Sequence, residues 1–333
     1  MEEKDKMTIS RRAIVGAVGA VSMLAFGTSA MAQDYPTKRI TIIVPYSAGG
    51  ATDVLARQVA DGLNKVLGET VSVENRPGAG ATLGTTQAAN ARPDGYTLFM
   101  GQVSSHGIAP AVYKNLQYDP VEDFAPIKLL ISIPNVMVVD KDSPYQTAAE
   151  FLEAAQSESM TFGSSGVGSS IHLSGEMFKA RTGANMTHVP FRGSGEAVPA
   201  LLSGDVDVMF DNLPSAMPHI QSGELRALAV TTPERSDKLD GVPTLDELDI
   251  PALDGFAARS WFGLLAPAGT DDDVIATLSG ALDEVIESDA FVKFVDTRGA
   301  QIQGAGPDGF SDFIADELSS WKTVVDEAGV TVE

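Results

Sequence analysis

Three short segments carry the residue types best suited to chemistry: Tyr46-Ser47-Ala48-Gly49-Gly50-Ala51-Thr52-Asp53, Gln102-Val103-Ser104-Ser105-His106-Gly107 and Gly163-Ser164-Ser165-Gly166-Val167-Gly168-Ser169-Ser170. Each stands where a β-rich run ends and a helical run begins. Glycine lets main-chain N–H groups approach a small molecule closely, and a helix start turns those groups outward at the positive end of its dipole. Such loops can hold an anion without any charged side chain. The same composition also suits ordinary glycine-serine turns with helix caps, Asp53 and Ser169 then being the caps.

Catalytic and metal chemistry find less support. Gly163-Ser164-Ser165-Gly166-Val167 fails the G-x-S-x-G nucleophile elbow, because Val167 occupies the last glycine position. The four histidines, His106, His172, His188 and His219, show no metal-ligand spacing. Gly78-Ala79-Gly80-Ala81-Thr82-Leu83-Gly84 departs from a dinucleotide turn, since its third glycine comes one residue late and Asn75-Arg76-Pro77 separates it from the strand. No catalytic residue, metal or cofactor is therefore assigned. Arg192, in Phe191-Arg192-Gly193-Ser194-Gly195, could pair with a carboxylate bidentately, as could Arg259 beside Trp261; a salt bridge within the protein is the alternative for both. The candidate ligand-binding set is Tyr46, Ser47, Ala48, Gly49, Gly50, Ser104, Ser105, His106, Ser164, Ser165, Gly166, Gly168, Ser169, Arg192 and Asp211.

The elements that must position these loops alternate short β-rich runs with amphipathic helices, the pattern of a mostly parallel sheet covered by helices. Ile40 to Val44 reads as a buried strand, and Leu55, Val59, Leu63 and Val66 then recur at helical spacing until Gly68 ends the helix. Strands follow over Thr70 to Glu74 and Tyr96 to Met100. Further on, helices are predicted over Thr147 to Gln156, Ser169 to Ala180 and Glu196 to Leu202. Strands are predicted over Met160 to Phe162, Thr187 to Pro190, Val206 to Phe210 and Leu225 to Thr231. Asp271-Asp272-Asp273 places negative charge at a helix N-terminus, with Val274, Leu278, Leu282 and Val285 on one face behind it. A last helix, about Pro307 to Asp326, is expected to bury Phe310, Phe313, Ile314, Leu318 and Trp321.

The N-terminus reads as a cleaved export signal over residues 1–32. A charged start ends in Ser10-Arg11-Arg12, an apolar run covers Ala13 to Phe26, and Ala30-Met31-Ala32 supplies a small-x-small cleavage pattern. The paired arginines suggest the twin-arginine route. No other stretch is apolar enough to span a bilayer, which takes about twenty apolar residues. What remains, about 300 residues, suits two domains. With no cysteine, stability must come from packed cores. The net charge is −22, and −23 without the signal, whose Lys4, Lys6, Arg11 and Arg12 outweigh Glu2, Glu3 and Asp5. Such a surface repels nucleic acid and anionic lipid.

A series of motifs, in order, resembles the solute-binding proteins of the tripartite tricarboxylate transporter family, also called Bug receptors. They are Pro45 to Asp53, Val73-Glu74-Asn75-Arg76-Pro77-Gly78-Ala79-Gly80, Pro93-Asp94-Gly95-Tyr96-Thr97-Leu98, Gly163 to Leu173 and Val189-Pro190-Phe191-Arg192-Gly193. Leu202-Ser203-Gly204-Asp205-Val206-Asp207, Arg226 to Val230, Val242-Pro243-Thr244 and Trp261-Phe262-Gly263-Leu264 complete the series. The resemblance implies a two-domain α/β fold of the type II periplasmic-binding-protein kind, with the ligand cleft between domains. It implies that the chain crosses twice, giving domain 1 at residues 34–134 plus 251–333 and domain 2 at 135–250. It further implies a periplasmic monomer that captures a small organic carboxylate by domain closure, gripping it through Tyr46 to Gly50 and Ser164 to Ser170, and serves the membrane subunits of a transporter. A periplasmic receptor feeding a membrane kinase is the alternative role. Tyr46-Ser47 and Ser105-His106 stand where the family often has other residues, which leaves ligand identity open.

Overall fold

In the computed structural model, which describes residues 35–331, the aliphatic run Ile40–Val44 forms the first strand (β1), buried except at Thr41. The expected export signal and its cleavage site lie outside the described residues. After β1 come α1 (Ala51–Leu67), β2 (Val71–Asn75), α2 (Thr82–Ala89) and β3 (Thr97–Gln102). A π-type turn over Ser104–Ile108 then leads into the short α3 (Ala109–Val112). The middle of the chain holds β4 (Phe124–Asp140), α4 (Ala148–Ser157), β5 (Met160–Ser164), α5 (Ser170–Thr182), β6 (Met186–Pro190), α6 (Ser194–Leu202), β7 (Val208–Asn212), α7 (Leu213–Gln221) and β8 (Leu225–Val230). The last elements are β9 (Arg259–Pro267), α8 (Asp272–Glu287), α9 (Asp289–Asp296), β10 (Gln301–Ile302) and α10 (Pro307–Ala328).

The strands lie in the order β2-β1-β3-β9-β4-β7-β5-β6, with β8 and β10 also paired to β4. β1 runs parallel to β2 and β3, and β5 runs parallel to β6 and β7. Between these parallel groups stands β4. Its first part pairs antiparallel with β9, from Phe124↔Pro267 to Pro134↔Arg259. From Asn135 onward it pairs instead with β7 and β8. One strand therefore carries the chain out of the first half of the sheet, and β9 brings it back.

The cores follow from the helical stripes. Leu55, Val59 and Leu63 of α1 share a buried cluster with Leu278, Leu282 and Val285 of α8 and with β1. On another cluster, Trp261 meets Phe310 and Phe313 of α10 edge-on, ring centres 5.6 and 5.3 Å apart. Both Trp261 and Trp321 donate their indole N–H to Glu317, at 2.8 and 2.9 Å. Each fully buried large apolar side chain contributes about 1.5–3 kcal/mol, against about 0–1 kcal/mol for an exposed ion pair. Packed cores thus dominate, as the absence of cysteine requires.

Some expectations shift in detail. β7 begins at Val208, two residues later than the sequence suggests, so Asp211 and Asn212 end a strand instead of following one. Gly50 is the N-cap residue of α1, so Asp53, in the first turn, is not its cap. Ser169 does cap α5, accepting from the His172 amide. Leu318 and Phe313 are only partly buried.

Candidate functional site

The three glycine-rich loops converge on one slot. Tyr46, Gly50, Ala51, Thr52 and Gln102 line one side; Ser165, Ser169, Ser170, Ile171, Ser194 and Asn212 line the other, around a cavity of about 10 Å3. The gap is water-sized at its widest. Four helices, α1, α5, α6 and α7, present their N-termini to it, through Gly50 to Thr52, Ser169 to Ile171, Ser194 and Asn212. Each such terminus carries roughly +0.5 of an elementary charge. Among the described residues, no lysine, arginine, histidine or carboxylate lines the slot. At Gly50, Gly193 and Asn212 no side chain caps the helix, which leaves first-turn amides of α1, α6 and α7 open. In α5 the Ser170 amide donates to Ser104 Oγ at 3.1 Å, tying the second loop to the third.

Asp53 shapes the first loop from behind. It accepts from the Gly49 amide at 3.0 Å, from Asn75 Nδ2 at 2.9 Å and from Arg57 through both carboxylate oxygens. Burial pushes its pKa up, but the hydrogen bonds from Arg57, Gly49 and Asn75 outweigh that, and the carboxyl ends below its ordinary value. Asn75 also donates to the Tyr46 carbonyl at 3.0 Å, fixing the loop at its other end.

The rims of the slot touch main chain to main chain. The Ser47 amide donates to the Arg192 carbonyl at 3.0 Å. A Cβ on Gly195 would lie 2.0 Å from the Ala48 carbonyl oxygen, and one on Gly80 would lie 1.8 Å from that of Val167, so only glycine permits either approach. Tyr113 spans the same rim, its hydroxyl 2.8 Å from the Val167 carbonyl and 3.0 Å from that of Ala79. Arg192 contributes its carbonyl; its guanidinium is 71% exposed and faces Glu196 at 3.9 Å, outside the slot.

Beneath the slot lies a buried polar network. Asp211, fully buried, accepts from Ser194 Oγ at 2.5 Å and from Ser215 Oγ at 2.7 Å. Burial raises its pKa against those hydrogen bonds, and its place is to orient Ser194. Asn135, at the point where β4 changes partners, donates to Ser174 Oγ at 2.9 Å and to the Ser170 carbonyl at 3.3 Å. Its Oδ1 accepts from Asn212 at 2.6 Å and from Ser260 at 3.1 Å. Ser105 and His106 sit deeper, with Ser105 Oγ 2.8 Å from His106 Nδ1 and the Tyr118 hydroxyl donating to the Ser105 carbonyl at 2.8 Å. Ser164 Oγ lies 2.5 Å from His188 Nε2, and the Gly168 amide donates to His172 Nδ1 at 3.2 Å. His172 and His188 pack ring to ring at 4.0 Å.

Of the candidate residues, Tyr46, Gly50, Ser165 and Ser169 therefore line the slot. Ser47, Ala48, Gly49, Gly166 and Gly168 form its loops; Ser104, Ser105, His106, Ser164 and Asp211 support it from behind. Ala51, Thr52, Gln102 and Ser170 fall inside the three segments but outside the candidate set, which also omits Ile171, Ser194, Asn212 and the rim residue Tyr113. Gln102 carried a usable signal, since it is the last residue of a strand leading into a hydroxyl-rich turn. Ser47 Oγ is buried here without a hydrogen-bond partner, and the buried Tyr46 hydroxyl lies beside Ser104 and the Gln102 amide.

A larger concavity, lined by Ser132, Pro134, Arg259 and Trp321 among others, lies elsewhere, and none of the three glycine-rich loops reaches it. Among the described residues no group of three His, Asp or Glu side chains is placed to hold a metal ion. No helix among them is long and apolar enough to cross a membrane.

Comparison with known proteins agrees with this architecture. Residues 55–330 match the profile of the tripartite tricarboxylate transporter family receptor (TctC). Protein BugT of Bordetella pertussis is 36% identical over 324 residues, covering 96% of this chain and 98% of its own. A Rhodopseudomonas palustris protein solved with adipate is 33% identical with a TM-score of 0.85, covering 89% of this chain and 99% of that one. MatC of the same organism, solved with bound malate, is 33% identical with a TM-score of 0.83, over 87% of this chain and 100% of that one. The fold is thus the two-domain α/β fold of periplasmic binding proteins of this type. The chain belongs to the tripartite tricarboxylate transporter receptor family, a family of solute-binding receptors.

Proposed function

We propose that this protein captures a small organic carboxylate in the periplasm and delivers it to the membrane subunits of a tripartite transporter, without transforming it. The observation that carries this reading is the convergence of four helix N-termini, three of them uncapped, on a slot lined by no cationic side chain. Fixed N–H dipoles complement a carboxylate and need no reorganisation when it arrives. The adipate and malate seen in two relatives support the same ligand class.

Capture proceeds by closure of domain 1, residues 34–134 plus 251–333, onto domain 2, residues 135–250. A carboxylate docks on the amides of the first loop, and the second domain then brings up the amides of α5 and α6. Closure excludes water, so each donor counts for more than in the open cleft. The rim contacts of Ser47, Ala48 and Tyr113 belong to the closed form, which is the form the transporter subunits recognise.

A thermal-shift screen against a panel of mono-, di- and tricarboxylates tests the reading. A ligand that binds only the folded protein raises Tm in step with occupancy. A carboxylate that does so, confirmed by calorimetry and recovered unchanged from denatured protein, is the expected result. A protein unresponsive to every acid but responsive to neutral sugars or cations would overturn it.

A further inference from the structure

Arg259 opens β9 as the register partner of Pro134 in β4, and its side chain is exposed. It lines the larger concavity, a cavity of about 670 Å3, which is the size of a small-molecule site. The lining comes from three places: the crossover strands at Ile133, Pro134 and Arg259, the 232–238 loop after β8, and the region of α9, β10 and α10. Lys238 of the loop pairs with Asp296 of α9 at 2.6 Å. Gly299, after α9, sits so close to the same region that a Cβ on it would stand 2.6 Å from Leu213 Cδ2 and 3.2 Å from Ser236 Oγ. The loop and α9 are therefore fastened to each other across the cavity.

Most cations of the lining are matched within the protein. Arg235 is held by Glu247 at 2.7 Å and Lys238 by Asp296. One carboxylate oxygen of Glu317 accepts the indole N–H groups of both Trp261 and Trp321, at 2.8 and 2.9 Å, and Glu317 shares the cavity with Arg259 without a salt bridge between them. Arg259 has neither a hydrogen bond nor an ion pair among the described residues, although Asp and Glu outnumber Lys and Arg by 45 to 23 in the chain. A guanidinium stays charged, and its fork matches a carboxylate through two parallel hydrogen bonds. Of the two arginines whose sequence setting suits a carboxylate, Arg192 turns away from the slot and Arg259 is set in a cavity.

The lining also presents apolar surface from Ile133, Pro134, Pro233, Ala300, Trp321 and Val324. One anionic head on a hydrocarbon body satisfies both features. Further negative charge does not, because the carboxylates of the lining, Glu234, Asp237, Asp296 and Glu317, outnumber its three cations. We propose that this cavity is a second ligand site, for amphipathic monocarboxylates of medium chain length, in which Arg259 grips the carboxylate and Trp321 packs against the hydrocarbon. It shares no lining residue with the slot, so the two sites stand or fall separately.

The two tryptophans of the chain both meet Glu317, and Trp321 lines the cavity, so intrinsic fluorescence reports its occupancy. Titration with octanoate is expected to give a saturable, one-site change in emission. Octanol, matched in chain length but uncharged, should bind at least about tenfold more weakly. Arg259→Gln should weaken octanoate by at least about tenfold and leave octanol unchanged, with circular dichroism showing an intact fold. Arg259→Lys keeps the charge without the fork, should fall between the two, and serves if Arg259→Gln fails to fold. Gly195→Ala, whose added methyl holds the slot rims apart, should keep the octanoate response. Equal affinity for octanoate and octanol would overturn the inference, as would a wild-type protein that shows neither an emission change nor heat of binding. A response lost in Gly195→Ala and kept in Arg259→Gln would overturn it by assigning octanoate to the slot. Each of these results leaves carboxylate capture by the slot standing.

Discussion

The side-chain amide of Asn212 donates to Asn135 Oδ1 at 2.6 Å, joining two buried residues 77 positions apart. Asn212 lines the slot, and Asn135 marks the point where β4 leaves β9 for β7 and β8. The passage between the halves and the wall of the slot thus share a hydrogen bond. Asn135→Leu takes a partner from Asn212, Ser174 and Ser260 together. Leaving a buried polar group unpaired costs about 1–3 kcal/mol. Urea unfolding of the variant is expected to show a loss of about 3 kcal/mol; a loss below about 1 kcal/mol would mean that water replaces the amide without penalty.

Gly195 tests closure separately from folding. The added methyl of Gly195→Ala would stand 2.0 Å from the Ala48 carbonyl oxygen on the opposing rim. The rims then cannot meet, while α6 gains a better helix former. Tm of the unliganded variant is expected to equal or exceed that of the wild type. Affinity for the ligand should fall at least about tenfold, equivalent to about 1.4 kcal/mol. Small-angle scattering at saturating ligand should show a more open particle; unchanged scattering and affinity would refute the wedge.

Two buried histidines, His106 and His172, and the half-buried His188 make the fold sensitive to acid. Burial pulls His106 and His172 down to about 3 and His188 to about 4, with the neighbouring His188 and Lys179 adding to the effect on His172, and Lys179 to that on His188. Because these folded values lie below the ordinary histidine value of 6.5, the unfolded chain binds more protons at intermediate pH. Their neutral forms therefore favour the fold fully above pH 6.5, and that stability is lost as pH falls toward 4 and 3. Each histidine contributes a slope of about 1.4 kcal/mol per pH unit within that window. The raised pKa of Asp211 acts in the opposite sense, since its strained carboxylate is relieved by protonation. Chemical unfolding of a His172→Asn, His188→Gln double variant between pH 7 and 4.5 should show a shallower slope than the wild type; parallel curves would place the acid sensitivity elsewhere.

What the sequence made legible follows its periodicity. β1, α1, β5, α5 and α8 have clean apolar patterns, and their ends, Gly68 and Ser169 among them, carry ordinary cap residues. β4 escaped notice because Pro126, Lys128, Ser132, Pro134 and Asn135 break its alternation. Those residues are explained only by what the strand does: Lys128 pairs with Asp283 of α8, and Asn135 serves the crossing. α7 was hidden by Pro214 and Pro218, the first tolerated at a helix start and the second inside a helix of only nine residues. The loops themselves were visible as glycine and serine clusters. Their partners across the slot, Ser194 and Asn212, were not, because only the tertiary arrangement brings segments so distant in sequence to one place.

The contacts that fasten the rims, at Arg192, Ala48, Ala79 and Val167, end on peptide carbonyls, and the side chains that take part are the Tyr113 hydroxyl and, between the second and third loops, Ser104 Oγ. The fastening therefore makes no use of the other side chains that face the interior. Residues such as Gln102, Thr52 and Ser165 can be exchanged to reprogram recognition while the clamp mechanics carry over intact, which makes this scaffold a ready starting point for engineered acid sensors.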